Sequence, residues 1–346
     1  MPKVSEIGTY VFLKRLIRKI KSIVKPFHRE DKNLYVYTPL ILPHYGSSMK
    51  KGLNAFLLRV QIKLIQKVFG FRNPIVWIEN PVGMIVAKQL DPALILYYRI
   101  DKFESHSELR DPEEIVDLDE RLTREADLIL CVSMRLYEEK LALRKEGVYY
   151  VPHGVDFNHF RKAMEDLPIP DDVKDIKHPL MGYFGTLDAK NDDSIIQYCA
   201  TQRQDLSFVL IGEMGGKNRL LAKLPNVHFL GYKEYSQLPY YGRTFDACIM
   251  FWKSTDWIEY CNPVKTNEYL AMGKPVISTP FHEISKQYNG IIAIARSPEE
   301  FLKKIEEEIT KDSPERQKIR MDFVRNETWE KRAEYVSQLI AKKINS

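Results

Sequence analysis

Residues 262–279, NPVKTNEYLAMGKPVIST, set a lysine and a glutamate three positions apart at the start of one short helix. Asn262 is a good N-cap, and Pro263 fits the first helical position, where its missing N–H costs nothing. Gly273 and Pro275 end the helix, and residues 276–279 read as a buried strand behind it. The N–H groups at a helix start have no acceptor inside the helix and favour an anion such as a diphosphate. Lys265 adds a positive charge in the first turn, and Glu268 follows on the same face. A carboxylate there can accept hydrogen bonds from both hydroxyls of a ribose. Phosphate donors, a lysine and a ribose-seeking carboxylate make a nucleoside-diphosphate site. The competing reading is a capped helix with an ion pair.

The elements that must hold this helix follow a regular alternation. From residue 74, short apolar runs alternate with longer amphipathic ones. Strands are expected at 75–78, 93–98, 127–132 and 148–151, with helices at 83–90, 112–125 and 134–145. An earlier strand, 34–38, is assigned to the same sheet. VPHGVDFNHF at 151–160 and a Pro/Asp-rich linker at 165–175 interrupt the pattern. It restarts with strands at 179–184, 206–211, 227–230, 245–251, 275–279 and 290–295. The matching helices are expected at 191–201, 216–223, 235–241, 263–272, 297–309, 314–325 and 327–343. Such alternation means parallel strands with crossover helices, an α/β fold. With 346 residues, two doubly wound, Rossmann-like domains are expected, with ligands bound at the carboxyl ends of the strands. The expected division is 1–160, 161–325 and a last helix, 326–346, packing back on the first domain.

Charge is unevenly spread. Residues 1–78 hold 15 Lys/Arg and 3 Asp/Glu, a net +12, while the remainder carries −7. Two basic amphipathic stretches lie in this first quarter. Leu13, Leu16, Ile17, Ile20, Val24 and Phe27 oppose Lys14, Arg15, Arg18, Lys21 and Lys25 in the first. Phe56, Leu57, Val60, Leu64, Ile65 and Val68 oppose Arg59, Lys63 and Lys67 in the second. Such helices suit an anionic membrane surface, at about 1 kcal/mol per cation near the headgroups. The competing reading is two domain helices with solvated basic faces. Nucleic acid is disfavoured as a partner, because aromatics do not interleave with the cations. Cys131, Cys199, Cys248 and Cys261 are scattered without CxxC or Cys/His spacing, as in a reduced cytoplasmic protein. No run reaches the roughly 18 apolar residues of a spanning helix, and no signal peptide is expected.

In order and spacing, YTPLILP, YYRIDKFESH, DLILCVS, VPHGVDFNHF, GYFGTLD, FVLIG, LPNVHFLGYKEYSQLPYY, FDACIMFW, NPVKTNEYLAMGKPVISTP and RNETWEKRAEY resemble the GT-B glycosyltransferases. The likeness runs from about residue 33 onward and is to the branch that builds bacterial cell-envelope polysaccharides, with teichuronic-acid and xanthan-type transferases as relatives. It implies transfer of a sugar from a nucleoside diphosphate, with a UDP-sugar as donor substrate and no separate cofactor. The first domain then serves the acceptor and the second the nucleotide-sugar. Gly182, Gly185, Gly212 and Glu213 fall where small or polar residues end strands beside the donor diphosphate. Gly231 and Tyr232 fall where related enzymes hold the base. Gly182 also fits a plain turn, and Tyr232 a core aromatic. Asn262, Lys265 and Glu268 complete the nucleotide site. The loop 252–261 sets Ser254, Thr255, Asp256 and Glu259 beside Trp252 and Trp257, a composition suited to the donor sugar. Asp101 matches the aspartate that inverting relatives use as general base. A cap or turn aspartate is the alternative, and His106 and His153 are rival bases, His153 being read as structural.

The chain also departs from this pattern. Retaining relatives often carry a second glutamate eight positions before the ribose-binding one. Tyr260 stands there, with Glu259 one residue off, which tilts the expectation toward inversion. The opening strand, glycine loop and helix of such folds is not recognisable, leaving acceptor binding in question. The lone DxD, Asp117 and Asp119, reads as a solvated helix face, so a metal-independent reaction is expected, with Lys265 and the helix dipole stabilising the leaving group. The expected acceptor is lipid-linked or a growing polysaccharide at the cytoplasmic face of the cell membrane. Two alternatives stand beside it, a non-catalytic nucleotide-sugar-binding partner and a sugar-nucleotide epimerase on the same fold.

Overall fold

The computed structural model describes residues 26–41, 48–105, 112–215 and 220–345. The basic stretch before residue 26, His106, and the start of the helix expected at 216–223 lie outside the described residues. Backbone contacts separate the chain into two compact units, Met1–Ile95 with Glu108–Leu122, and Leu96–Ser107 with Thr123–Ser346.

In the first unit, β1 (Phe27–Asp31) and β2 (Leu34–Tyr37) pair as an antiparallel hairpin. The strand expected at 34–38 therefore belongs to a separate two-stranded sheet. Lys32 and Asn33 form the turn that folds it back on β1. Phe27, expected on a helical face, is a strand residue for the same reason. Helix α1 (Ser48–Val68) lies against the hairpin through Gln61. The Gln61 Oε1 accepts from the Tyr37 hydroxyl at 2.5 Å and the Leu40 N–H at 2.9 Å. Its Nε2 donates to the Leu40 carbonyl at 2.9 Å. Phe27, Tyr35, Phe69 and Phe71 form an aromatic cluster at the far end of α1. Then follow β3 (Ile75–Ile78) and the short α2 (Met84–Ala87). The Ala93 N–H bonds the Pro74 carbonyl at 3.0 Å.

Two elements, β4 (Leu94–Arg99) and α3 (Pro112–Glu125), cross the division. On α3 the expectation for the DxD is half corrected. Asp117 is exposed, but Asp119 is buried, because Ile115, Leu118, Asp119 and Leu122 share one helical face.

In the second unit, β4 is parallel to β5 (Leu128–Cys131), and β5 to β6 (Val148–Tyr150). Helix α4 (Met134–Leu143), capped by Ser133, and the one-turn α5 (Phe157–Phe160) follow. The main sheet is built from β7 (Leu180–Phe184), β8 (Ser207–Ile211), β9 (Val227–Gly231), β10 (Ala247–Met250), β11 (Val276–Ser278) and β12 (Ala293–Ile294). Their order is β12-β11-β10-β7-β8-β9, all parallel. The crossovers are α6 (Asp193–Gln202), α7 (Leu238–Thr244), α8 (Val264–Ala271) and α9 (His282–Gln287). Helices α10 (Pro298–Thr310), α11 (Pro314–Val324) and α12 (Trp329–Ile344) close the chain.

Both faces of this sheet are covered, which is why its strands are continuous apolar runs. Val209, Cys248, Met250 and Tyr269 belong to one buried layer, and Met181, Phe208, Leu210 and Ile249 to the other. The winding reverses between β7 and β10. Ligands of doubly wound sheets bind outside the strand ends at such a reversal.

Gly182 is a core residue of β7, not a turn at the site. A Cβ built there lies 2.0 Å from the Phe245 ring, so the missing side chain makes room for a phenylalanine. Gly182→Ala is expected to lower stability by about 1–3 kcal/mol, as overpacking of a filled core does. Denaturant unfolding measures this, and nucleotide affinity in the folded fraction should be unchanged.

Candidate active site

The strand ends at the reversal open into a cavity of about 750 Å³. Gly185 and Thr186 after β7, Gly212 and Glu213 after β8, and Tyr232 and Lys233 at β9 line it. The start of α8 contributes Asn262, Lys265 and Glu268. Seven residues expected at a nucleotide site thus share one wall: Gly185, Gly212, Glu213, Tyr232, Asn262, Lys265 and Glu268. Gly231, expected with them, does not line the cavity. Its carbonyl instead accepts the Gly212 N–H at 2.8 Å.

The strand ends meet because glycines stand there. A Cβ on Gly212 would lie 2.1 Å from the Gly185 carbonyl oxygen, and one on Gly185 would lie 2.4 Å from the Lys265 Nζ. Both residues also have positive φ, +141° at Gly212 and +136° at Gly185. Helix α8 is anchored beneath them by the Tyr269 hydroxyl, which accepts the Phe184 N–H at 3.0 Å.

The helix start differs in detail from the sequence expectation. Pro263 is itself the N-cap, in extended conformation, and no side chain caps the helix. Asn262 is buried and turned away, its amide donating to Glu283 Oε1 at 2.7 Å. Glu283 also accepts from the Tyr150 hydroxyl at 2.6 Å and the Met134 N–H at 2.7 Å, so a buried carboxylate claims the residue that would have capped α8.

Lys265 and Glu268 do not form the ion pair that their spacing suggests. The Lys265 ammonium donates to the Tyr183 hydroxyl at 3.1 Å and sits over the Tyr183 and Trp252 rings, at 4.5 and 5.0 Å. Burial pushes the Glu268 carboxyl up to about 7, with the Lys265 charge opposing. Burial raises the Tyr183 phenol as well, but Lys265, Trp252 and Asn191 together bring it below its usual value.

Several contributors escaped the sequence reading. Lys190 lines the cavity, held by Asp188 at 2.9 Å. A lysine shortly after the Gly185 turn was a usable signal. Tyr235, also in the wall, stacks on His159 at 4.7 Å. Tyr183 is a fully buried strand residue, and nothing in a linear sequence separates it from core tyrosines.

The remaining candidates lie away from the cavity wall. In the loop 252–261, Trp252 lines the cavity but Ser254, Thr255, Asp256 and Glu259 do not. The Ser254 hydroxyl donates to Glu259, and the Thr255 hydroxyl accepts from the Ile258 N–H. Asp256 accepts from Lys102 and Ser105, and Glu259 from the His282 N–H. Asp101, just beyond β4, accepts from the Trp257 indole N–H at 2.8 Å and the Lys102 N–H at 2.8 Å. Burial lowers His153 to about 4 against the pull of the Asp101 charge, and its ring packs on Trp329. Among the described residues no cluster of three or more His, Cys, Asp or Glu could hold a metal ion.

A doubly wound parallel sheet with glycines at its strand ends and a cationic helix start beside them has the architecture of a Rossmann-like domain of the GT-B kind. Residues 178–311 match the family model described as Glycosyl transferases group 1. Over 220 residues the chain is 27% identical to TuaH of Bacillus subtilis, whose name places it in teichuronic acid biosynthesis as a glycosyltransferase. That match covers 60% of this chain and 55% of TuaH, so the chain spans about half the length of the curated relative it matches. Among solved structures, sucrose-phosphate synthase from Thermosynechococcus elongatus superposes with a TM-score of 0.67 at 14% identity, covering 97% of this chain and 93% of its own. Anabaena HepE, in complex with UDP and glucose, gives 0.62 at 16% identity over 88% and 84%. These likenesses establish a GT-B fold of two Rossmann-like domains.

The Glu268 shift has a signed consequence. The unfolded chain releases this proton near 4.5, but the folded protein keeps it to about 7. Folded-state stability is therefore lost as pH rises through that window, and the full cost stands above it. Glu268→Gln should be more stable than the parent at pH 8 by about 2–3 kcal/mol and equal to it below pH 4.5, by denaturant unfolding at both pH values.

Proposed function

We propose that this protein transfers a sugar from a nucleoside diphosphate sugar, with UDP as the nucleotide, to a lipid-linked or growing polysaccharide acceptor in cell-envelope glycan synthesis. The carrying observation is the cavity that gathers Lys190, Lys265 and Glu268 around glycine strand ends. Lys265, Lys190 and the first N–H groups of α8 meet the negative charge that grows on the departing diphosphate. Fixed cations do there what a metal ion would otherwise do. Glu268 takes the ribose hydroxyls, and Tyr232 and Tyr235 offer flat faces to the base. HepE holds UDP and glucose in the same fold, and the name of TuaH supports an envelope polysaccharide as product.

Asp101 is proposed as the general base of an inverting reaction. The acceptor oxygen attacks the anomeric carbon, the bond to the diphosphate oxygen breaks, and the Asp101 carboxylate takes the acceptor proton. Trp257 orients that carboxylate through its indole N–H. In this reading the loop 252–261 selects the donor sugar through the placement of Trp252 and Trp257, while Ser254, Thr255, Asp256 and Glu259 hold its shape. A thermal-shift screen of UDP, GDP, ADP and their sugars is expected to give the largest shift with the uridine series. Asp101→Asn should keep that shift and lose about 100-fold or more in turnover. No response to any nucleotide would remove the reading, and near-normal turnover of Asp101→Asn would remove the base.

The same proposal places the enzyme on the inner face of the cell membrane. Leu53, Phe56, Val60, Leu64 and Val68 make an exposed apolar row along α1, bordered by a second exposed row, Arg59, Lys63 and Lys67. No acid occurs in α1. An apolar row edged by cations fits an anionic lipid interface. Among the described residues, no helix is long and apolar enough to cross a membrane. Flotation with vesicles containing anionic lipid should recover the protein, and Phe56→Ser with Leu64→Ser should cut recovery several-fold. Equal, negligible recovery with neutral and anionic vesicles would remove the membrane part.

A further inference from the structure

We propose that Tyr183 is the positioning residue for Lys265, holding its ammonium ready for the donor diphosphate before the donor arrives. This rests on the reading of Lys265 as a diphosphate-binding cation. The Tyr183 side chain is fully buried and does not line the cavity, so it does not touch a ligand there. Its hydroxyl oxygen nevertheless collects three donors: the Lys265 ammonium at 3.1 Å, the Asn191 amide at 3.3 Å and the Trp252 indole at 3.5 Å. Its own proton is directed at the Thr186 carbonyl, 3.4 Å away.

Each neighbour is fixed in turn. The Asn191 Oδ1 accepts the Asp188 N–H at 2.9 Å, and the Trp252 N–H donates to the Thr279 hydroxyl at 3.1 Å. The ammonium fills the place that a side chain on Gly185 would take. Among the described residues, no carboxylate forms an ion pair with Lys265. That choice of partner matters. An ammonium paired with Glu268 would have to leave its partner to meet the diphosphate. An ammonium resting on a tyrosine hydroxyl between two aromatic faces keeps its position set and need not leave a carboxylate to meet the diphosphate. The geometry thus separates two tasks that the sequence spacing would have merged, with Tyr183 holding the lysine and Glu268 left for the ribose.

The test is a double-mutant cycle on the full chain. Parent, Tyr183→Phe, Lys265→Met and the double variant are titrated calorimetrically with UDP and with uridine. Lys265→Met should lose about tenfold or more in UDP affinity and leave uridine affinity unchanged. Tyr183→Phe should lose about three- to tenfold for UDP alone, and the double variant should be no worse than Lys265→Met. A purely structural tyrosine would move both ligands together. Unchanged UDP affinity in Tyr183→Phe, or losses that multiply in the double variant, would overturn the positioning role while leaving the lysine's own role standing. Unchanged UDP affinity in Lys265→Met would overturn both. Should Tyr183→Phe fail to fold, the parent protein labelled with 15N-lysine gives a second readout. One slowly exchanging ammonium signal, missing in Lys265→Met, is expected without nucleotide, and its absence would also overturn the proposal.

Discussion

Three strand ends of the larger unit touch, and everything at the candidate site depends on that contact. Gly212 approaches the Gly185 carbonyl so closely that no other residue fits without moving the backbone. The Gly185 N–H bonds the Ile211 carbonyl at 2.9 Å, and the Gly212 N–H bonds the Gly231 carbonyl at 2.8 Å. The edge of the cavity is therefore a run of backbone, with side chains arriving from α8 and the flanking loops. A diphosphate can approach such an edge as it cannot approach a row of side chains. The same closeness sets where Lys265 can go, because its ammonium occupies the space left over Gly185.

Charge within this cavity is arranged to stay apart. Lys265 rests on a phenol, Lys190 on Asp188, and Glu268 is pushed toward its neutral form by burial. Burying Lys265 and Glu268 without an ion pair between them carries a desolvation cost. That cost persists because the surrounding packing holds each group in place. Glu283 follows the opposite logic. It is fully buried and saturated by Tyr150, Met134 and Asn262, so it ties β6, α4 and the approach to α8 into one assembly. Its burial raises its carboxyl, and those hydrogen bonds offset part of the cost. The loop between β10 and α8 is braced in a similar way. Trp257 and Asp256 bind the segment just after β4, joining the environment of Asp101 to the residues that lead into α8.

Much of this was legible in the linear chain, for identifiable reasons. Strands β7, β8 and β10 are buried on both faces, so they appear as continuous apolar runs bounded by glycine or polar residues. The stop of α8 at Gly273 was legible because that residue takes φ +71°. The hairpin of β1 and β2 is not legible there, because an apolar alternating run does not reveal its partner and the downstream pattern favours parallel pairing. Asn262 fits a cap by its type and position. A carboxylate from twenty-one residues further on took its amide instead, and no local rule anticipates that competition.

The chain by itself determined the alternation of strands and helices from residue 74 onward, the glycines at strand ends, and a lysine and glutamate on one turn of helix. Those follow from periodicity and from local backbone chemistry, which are properties of neighbouring residues. The tertiary structure alone decided which of those residues share a cavity, that Gly182 serves Phe245 rather than a ligand, and that Lys265 leans on Tyr183 rather than on Glu268. These outcomes depend on distances between strands far apart in sequence, set when the sheet winds in both directions from β7 and β10. Sequence spacing records where a side chain starts, but packing across the sheet determines what it meets.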